Sequence, residues 1–205
     1  MKKGLMSKAT LSRVPIYLRY LKEISGESNS TISAPKIAKG VSLGEVQVRK
    51  DLSLVSGRGK PRTGYERKQL IKDLENCLGA SNLTNAVLVG AGKLGSALLE
   101  YGGFEEFGVR IVAGFDCNEE VIKSSKNAIL SVDVIEKFCS ENGIKIGIIT
   151  VGQGSAQAVC DKLVACGVKA IWNFAPCTLS VPQGVLLKQE RLALSLAHLN
   201  SQIEK

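Results

Sequence analysis

At 205 residues, with 44% hydrophobic and 22% charged residues, the chain can form one large domain or two small ones and has an ordinary globular composition. No run approaches the ~18 apolar residues of a membrane span, and no apolar stretch like a secretory signal follows Lys2 and Lys3, so a cytoplasmic location is expected. The net charge of +8 is lopsided: residues 1–75 carry 16 Lys and Arg against 7 Asp and Glu, the remainder 11 against 12. That imbalance suggests a polyanion held by one end of the chain.

Leu11, Val14, Leu18 and Leu21 recur at helical spacing and predict a first helix from Thr10 to Ile24, with Pro15 tolerated in its first turns. Ser33 is placed to cap a short second helix, with Pro35 early, Ile37 and Ala38 inward, and Gly40 at its end. Ser42 and Glu45 have capping-box spacing and predict a third helix opening at Ser42. Within it Val48, Leu52 and Val55 form one inward stripe. Val46, Lys50 and Ser53 lie opposite, flanked by Gln47 and Arg49.

Two short helices joined by a tight turn at Gly40 and Val41 read as a helix-turn-helix. An outer face of donors, a methyl group and two cations can read base edges and hold phosphates. Ser56 to Gly64 holds three glycines and the cations Arg58, Lys60 and Arg62 with nothing apolar, and reads as a β-hairpin wing reaching a minor groove or backbone. The candidate DNA contacts are Arg13, Ser42, Val46, Gln47, Arg49, Lys50 and Ser53, with Arg58, Lys60 and Arg62 on the wing. Tyr65 to Leu78 predicts a linking helix with Leu70, Ile71 and Leu74 inward, and Gly79 to Asn85 a domain boundary.

Beyond it, strands and helices alternate, which implies a parallel sheet covered on both faces. Strands are predicted at residues 86–89, 109–115, 128–130, 145–151, 169–174 and 184–187, and helices at 93–101, 119–124, 132–141, 155–166 and 188–203. Val87-Leu88-Val89 runs into Gly90-Ala91-Gly92-Lys93-Leu94-Gly95, a Gly-x-Gly-x-x-Gly turn between strand and helix. In such a turn the first glycine lets the chain leave the strand sharply, the second lets backbone approach a pyrophosphate, and the third lets the helix pack closely. Asp116 ends the next strand 21 residues beyond Gly95, where an acid for an adenine ribose 2′-OH is expected. This half therefore reads as a dinucleotide-binding domain.

Cys77, Cys117, Cys139, Cys160, Cys166 and Cys177 form no C-x-x-C pair and His198 is the single histidine, so zinc spacing is absent. The cysteines read as structural thiols in a reducing compartment, with Cys177 as the one to watch. His198 lies among leucines and is a poor candidate for an acid–base catalyst. A dinucleotide with no chemistry to perform implies sensing, through bias of a conformational equilibrium. Two other readings stay open: a small NAD-dependent oxidoreductase with an incidental basic domain, and a regulator gated by another nucleotide such as coenzyme A. In the last helix Leu192, Leu196, Leu199 and Ile203 make one stripe and Leu194 lies outside it. It packs either on its own sheet or against a second chain.

Over nearly its whole length the chain resembles the Rex family of redox-sensing transcriptional repressors. The residues that carry the resemblance are Ser12 to Tyr20, Val46 to Ser53 (Val-Gln-Val-Arg-Lys-Asp-Leu-Ser), Arg62 to Tyr65, Gly90 to Ser96, Glu100 to Phe104, and Trp172-Asn173-Phe174-Ala175-Pro176. The resemblance implies an α/β protein in three parts. These are an N-terminal winged helix-turn-helix domain (1–79), a Rossmann-like parallel-sheet domain binding NAD(H) (80–187), and a C-terminal helix (188–205) exchanged between subunits. It implies a homodimer, not an enzyme, that binds an inverted-repeat operator in double-stranded DNA and is released by NADH. By motif, Tyr101 and Asn173, Phe174, Ala175 and Pro176 would line the nicotinamide end, and Thr150 and Val151 the middle of the pocket. Asp116 would hold the adenine ribose and disfavour a 2′-phosphate. Two features depart from the family pattern. Gly152 follows Thr150-Val151 where proline is common, and the stretch between Pro182 and the last helix is short and lacks an aspartate often found there.

Overall fold

The structure, a computed structural model, describes residues 6–24, 30–79, 83–124 and 128–203. It divides into two compact units: the described residues up to Leu83 with Glu105–Gly108, and Thr84–Phe104 with the residues from Val109 onward.

In the first unit α1 (Lys8–Glu23) opens at Ser7, whose Oγ accepts from the Thr10 N–H at 3.0 Å. Pro15 falls at the eighth helical position, deeper than the first two turns expected from the sequence, and forgoes one intrahelical bond there. Ser33 caps α2 (Ala34–Gly40), as its spacing predicts, accepting from the Lys36 N–H.

The capping box at Ser42 does not form. The Leu43 N–H bonds the Ala38 carbonyl and the Ser42 N–H that of Lys39, which is a Schellman closure of α2 with Ser42 at φ 53°. A residue in the left-handed region cannot also supply the extended N-cap of the next helix. α3 (Glu45–Ser56) therefore starts after Gly44, which gives no side-chain cap, and Glu45 pairs with Arg49 instead.

The expected wing hairpin is reduced to one bridge. Lys60 and Gly64 exchange two N–H···O bonds of 2.8 Å around a turn with Arg62 at φ 65°. The small sheet is built elsewhere, from β1 (Thr31–Ile32) antiparallel to β2 (Tyr65–Glu66). Gly64, at φ 83°, packs so close to the Ile32 carbonyl that no Cβ fits. α4 (Arg67–Leu78) starts two residues later than predicted because Tyr65 and Glu66 pair as strand. Val14, Tyr17, Leu18, Leu21, Ile37, Val48, Leu52, Leu70 and Leu74 form the fully buried core of this unit.

The second unit is one parallel sheet in the order β5-β4-β3-β6-β7-β8. Its strands are β3 (Thr84–Val89), β4 (Val109–Asp116), β5 (Ile129–Ser131), β6 (Ile146–Ile149), β7 (Ala170–Asn173) and β8 (Leu186–Gln189). That is the doubly wound order, with the reversal between β3 and β6 where such sheets hold ligands. α5 (Lys93–Glu100), α6 (Glu119–Ser124), α7 (Ile135–Asn142), α8 (Gln153–Ala165) and α9 (Leu192–Ser201) complete it.

Side chains alternate between two cores. Val87, Val89, Phe115 and Ile149 meet Leu163 and Ile171 on one side, and Ala86, Leu88 and Ile148 meet Leu98 and Leu99 on the other. The last helix begins four residues later than predicted, because β8 continues to Gln189. It buries no residue: Leu192, Leu194, Leu196, Leu199 and the following Ile203 are 56–68% exposed. The helix does not bury its leucines against its own sheet.

Candidate functional site

The Gly-rich turn is closed by bonds that pin its start. The Gly90 N–H donates to the Phe115 carbonyl at 2.8 Å, and Thr150 Oγ1 donates to the Gly90 carbonyl at 2.6 Å. Gly90 stands at φ 101°, where an added Cβ would lie 2.8 Å from Val151, and a Cβ on Gly95 would strike the Gly90 carbonyl. Gly92 differs, because its missing Cβ would meet nothing within 4 Å.

Asp116, at the end of β4, accepts from the Ala91 N–H at 2.7 Å and from the Asn118 N–H at 2.9 Å. Gly90, Gly92, Asp116, Thr150 and Val151 line one cleft of about 460 Å³, together with Cys117, Gly152 and Ser155. Lys93 and Leu94, on the first turn of α5, are exposed and do not line it. Ser155 and Gly152 could have been found from Gly152-Gln153-Gly154, which places a second helix N-terminus beside the first.

The remaining expected cofactor residues do not line that cleft, though the Phe174 N–H bonds the Ile149 carbonyl, next to Thr150, at 2.8 Å. Phe174, Ala175 and Pro176 line a recess of about 600 Å³ with Gln189, Glu190 and the first turn of α9. Asn173 is fully buried. Its Nδ2 donates to the carbonyls of Ala175 and Cys177 and to Gln189 Oε1 at 2.6 Å, while its Oδ1 accepts from the Ala175 N–H. It thus ties the loop after β7 to β8. Tyr101 is 60% exposed and starts a chain of aromatic contacts through Phe104 and Trp172 to Phe174, with ring centroids 4.9, 5.8 and 4.5 Å apart. Trp172 in turn donates to Glu190 Oε1 at 3.0 Å. Gln189 and Glu190 were missed by the sequence reading, which had them inside a helix.

In the first unit Val46 is 69% exposed on α3, with Gln47, Arg49 and Lys50 exposed beside it. Arg49, Lys50, Ser53, Arg58, Lys60 and Arg62 line one concavity of about 580 Å³ between α3 and the Lys60–Gly64 turn. Ser42 is exposed in the turn before α3. Arg13 is placed differently from the others. Its Nε and Nη2 donate to Asp51 at 2.6 and 3.0 Å, with the guanidinium largely buried, so its donors support α3 from behind. Asp51 went unread because it sits within an apolar stripe as a single charge.

Burial pushes the Cys139 thiol up to about 11, with Cys166 beside it adding to the effect, and burial also raises Cys160 and Cys166. These thiols stay protonated at neutral pH and are poor nucleophiles. No group of His, Cys, Asp and Glu that could hold a metal occurs among the described residues, and none of their helices is long and apolar enough to cross a membrane.

A helix-turn-helix unit with a basic outer face and a doubly wound nucleotide-type sheet in one chain define a ligand-responsive transcription regulator. Residues 6–53 match the family described as putative DNA-binding protein N-terminus, and residues 81–177 match the CoA binding domain family. The redox-sensing transcriptional repressor Rex of Carboxydothermus hydrogenoformans is 41% identical over 96% of this chain and 96% of that one. Two solved structures of RSP, a Rex-family repressor, superpose over 97% of this chain. The complex with β-NAD+ and operator DNA does so at 33% identity, 93% of that chain and TM-score 0.88. The complex with β-NADH does so at 32% identity, 94% of that chain and TM-score 0.85. The chain belongs to the Rex family of redox-sensing transcriptional repressors, a family of regulators and not of enzymes.

Proposed function

We propose that the chain is a homodimeric repressor that binds an inverted-repeat operator and leaves it when NADH occupies the sheet domain. The observation that carries this reading is the pairing of two sites in one chain: a cationic concavity on α3 and a Gly-rich cleft with an acid at its rim. Gly92 supports the fit of a dinucleotide. Gly90 and Gly95 are glycines because their own neighbours leave no room, whereas Gly92 faces open space, as needed where a pyrophosphate comes against the backbone.

Asp116 would exchange its bond to Ala91 for the ribose 2′-OH, and its charge would repel the 2′-phosphate of NADP(H). Bound NAD(H) supplies the signal, as the nicotinamide ring differs in charge and shape between its two redox forms. Val46, Gln47, Lys50 and Ser53 enter the major groove, with Arg49 and the cations Arg58, Lys60 and Arg62 holding backbone. Arg13 stabilises that face from within. Such a repressor works where its operator lies, in the cytoplasm.

Two recognition helices must sit about one DNA turn apart, ~34 Å, to reach successive half-sites. A rearrangement of the dimer that alters this spacing releases DNA without touching α3. Reversal of occupancy from 99:1 to 1:99 takes about 5.5 kcal/mol of differential NADH affinity.

The test is binding of a Rex-type inverted-repeat duplex at fixed salt while NADH and NAD+ are titrated. Release by NADH alone is expected, and binding indifferent to both would refute the sensor. The CoA-binding family match favours a second reading in which coenzyme A is the signal. Release by coenzyme A and not by NADH would establish it.

A further inference from the structure

Asp51 lies in the middle of α3 on the flank facing α1 and is 1% exposed. Four donors converge on its carboxylate. Oδ2 accepts from Arg13 Nε at 2.6 Å and Tyr17 Oη at 2.7 Å, and Oδ1 from Arg13 Nη2 at 3.0 Å and Gln47 Nε2 at 2.9 Å. A carboxylate offers about four lone-pair directions, so this one is saturated.

Burial by itself would push the Asp51 carboxyl up, but the bonds from Arg13, Tyr17 and Gln47 together hold it below its ordinary 3.8. At neutral pH it is therefore ionised and can only accept. An acceptor-only neighbour settles the orientation of the Gln47 amide, whose nitrogen must face Asp51 while Oε1 points away from it.

Gln47 is exposed on α3 between Val46 and Lys50. A free glutamine amide can rotate to offer either its oxygen or its nitrogen to a base edge. A tethered one keeps one N–H on Asp51, so Oε1 and its second N–H meet a base edge in a fixed order. In the major groove adenine N6 and cytosine N4 are donors, whereas guanine O6 and thymine O4 are acceptors.

We propose that Asp51 is a positioning residue for sequence recognition: it holds Gln47 so that Oε1 leads into the major groove and selects a base carrying an exocyclic amino group. The proposal rests on the operator-binding reading above. Arg13, which bonds both carboxylate oxygens, belongs to the same device, since it keeps the tether charged and in place.

The test selects duplexes from a randomised inverted-repeat library with the full chain and with single variants. Gln47→Met is expected to lose its preference at one base pair in each half-site, from about tenfold toward parity. Asp51→Asn is expected to relax the same base pair and no other. Tyr17→Phe, which spares Oδ1, should keep the wild-type profile. Replacing the selected base by its analogue lacking the exocyclic amino group should cost the wild type about tenfold and cost Gln47→Met nothing.

A merely structural Asp51 would give Asp51→Asn a uniform loss on every sequence with all preferences intact, and that result overturns the proposal. So does a Gln47→Met profile identical to the wild type. Should Asp51→Asn not fold, the wild-type side-chain amide spectrum decides. One downfield Gln proton that vanishes in Gln47→Met supports the tether, and a Gln47 pair at free-amide shifts refutes it. Failure of the wild type to select any sequence would instead remove the operator reading itself.

Discussion

Three glycines within six residues serve different ends, and the difference is testable at the level of single atoms. Gly90 and Gly95 are demanded by the chain's own packing, while a Cβ on Gly92 would meet open space, as the proposed pyrophosphate site requires. Gly92→Val should fold normally, lose at least tenfold in NADH affinity by calorimetry, and keep operator affinity. The resulting repressor would stay on DNA at NADH concentrations that strip the wild type. These glycines and Asp116 were legible because their spacing along the chain carries their geometry. Asp51 was not. Its partners Arg13 and Tyr17 lie 38 and 34 residues away, and a lone acid beside Val48 and Leu52 gives no sign that it is buried. Asn173, marked for the ligand by motif membership, bonds its own loop and Gln189 of β8.

Elements were legible where periodicity was long, and less so at their ends. The order of strands and helices in the sheet domain follows from alternation, and each strand falls within about three residues of its predicted bounds. The misplaced starts share a physical cause, which is competition for the same residues. Ser42 is claimed by the closure of α2 before it can cap α3, and Lys188 and Gln189 are claimed by the sheet edge before they can join α9. α9 itself carries a stripe of leucines with Leu194 outside it and buries none of them, with Leu196 68% exposed. At ~1.5–3 kcal/mol for each such side chain buried, a second copy covering this helix would gain several times what one leucine gives. Leu196→Lys should shift the chain toward half its native mass in sedimentation and lower affinity for the full inverted repeat by at least tenfold. Weak binding to a single half-site should remain.

At the level of the whole molecule, charge and chemistry are segregated. The basic excess lies in the first 75 residues and the sheet domain is near neutral, so the two activities should separate on mutation. Lys50→Ala is expected to weaken operator binding by ~1–3 kcal/mol, read by gel shift at fixed salt, with NADH affinity unchanged. Equal loss of both would contradict a division of labour between the units. Under the proposed pairing of two chains, the unclad leucines of α9 carry a genetic consequence as well. A chain whose α3 is crippled but whose α9 is intact would still recruit healthy chains, and each mixed pair would grip only one half-site. Such an allele, expressed beside the wild type, would be dominant, and deleting α9 from it would make it recessive.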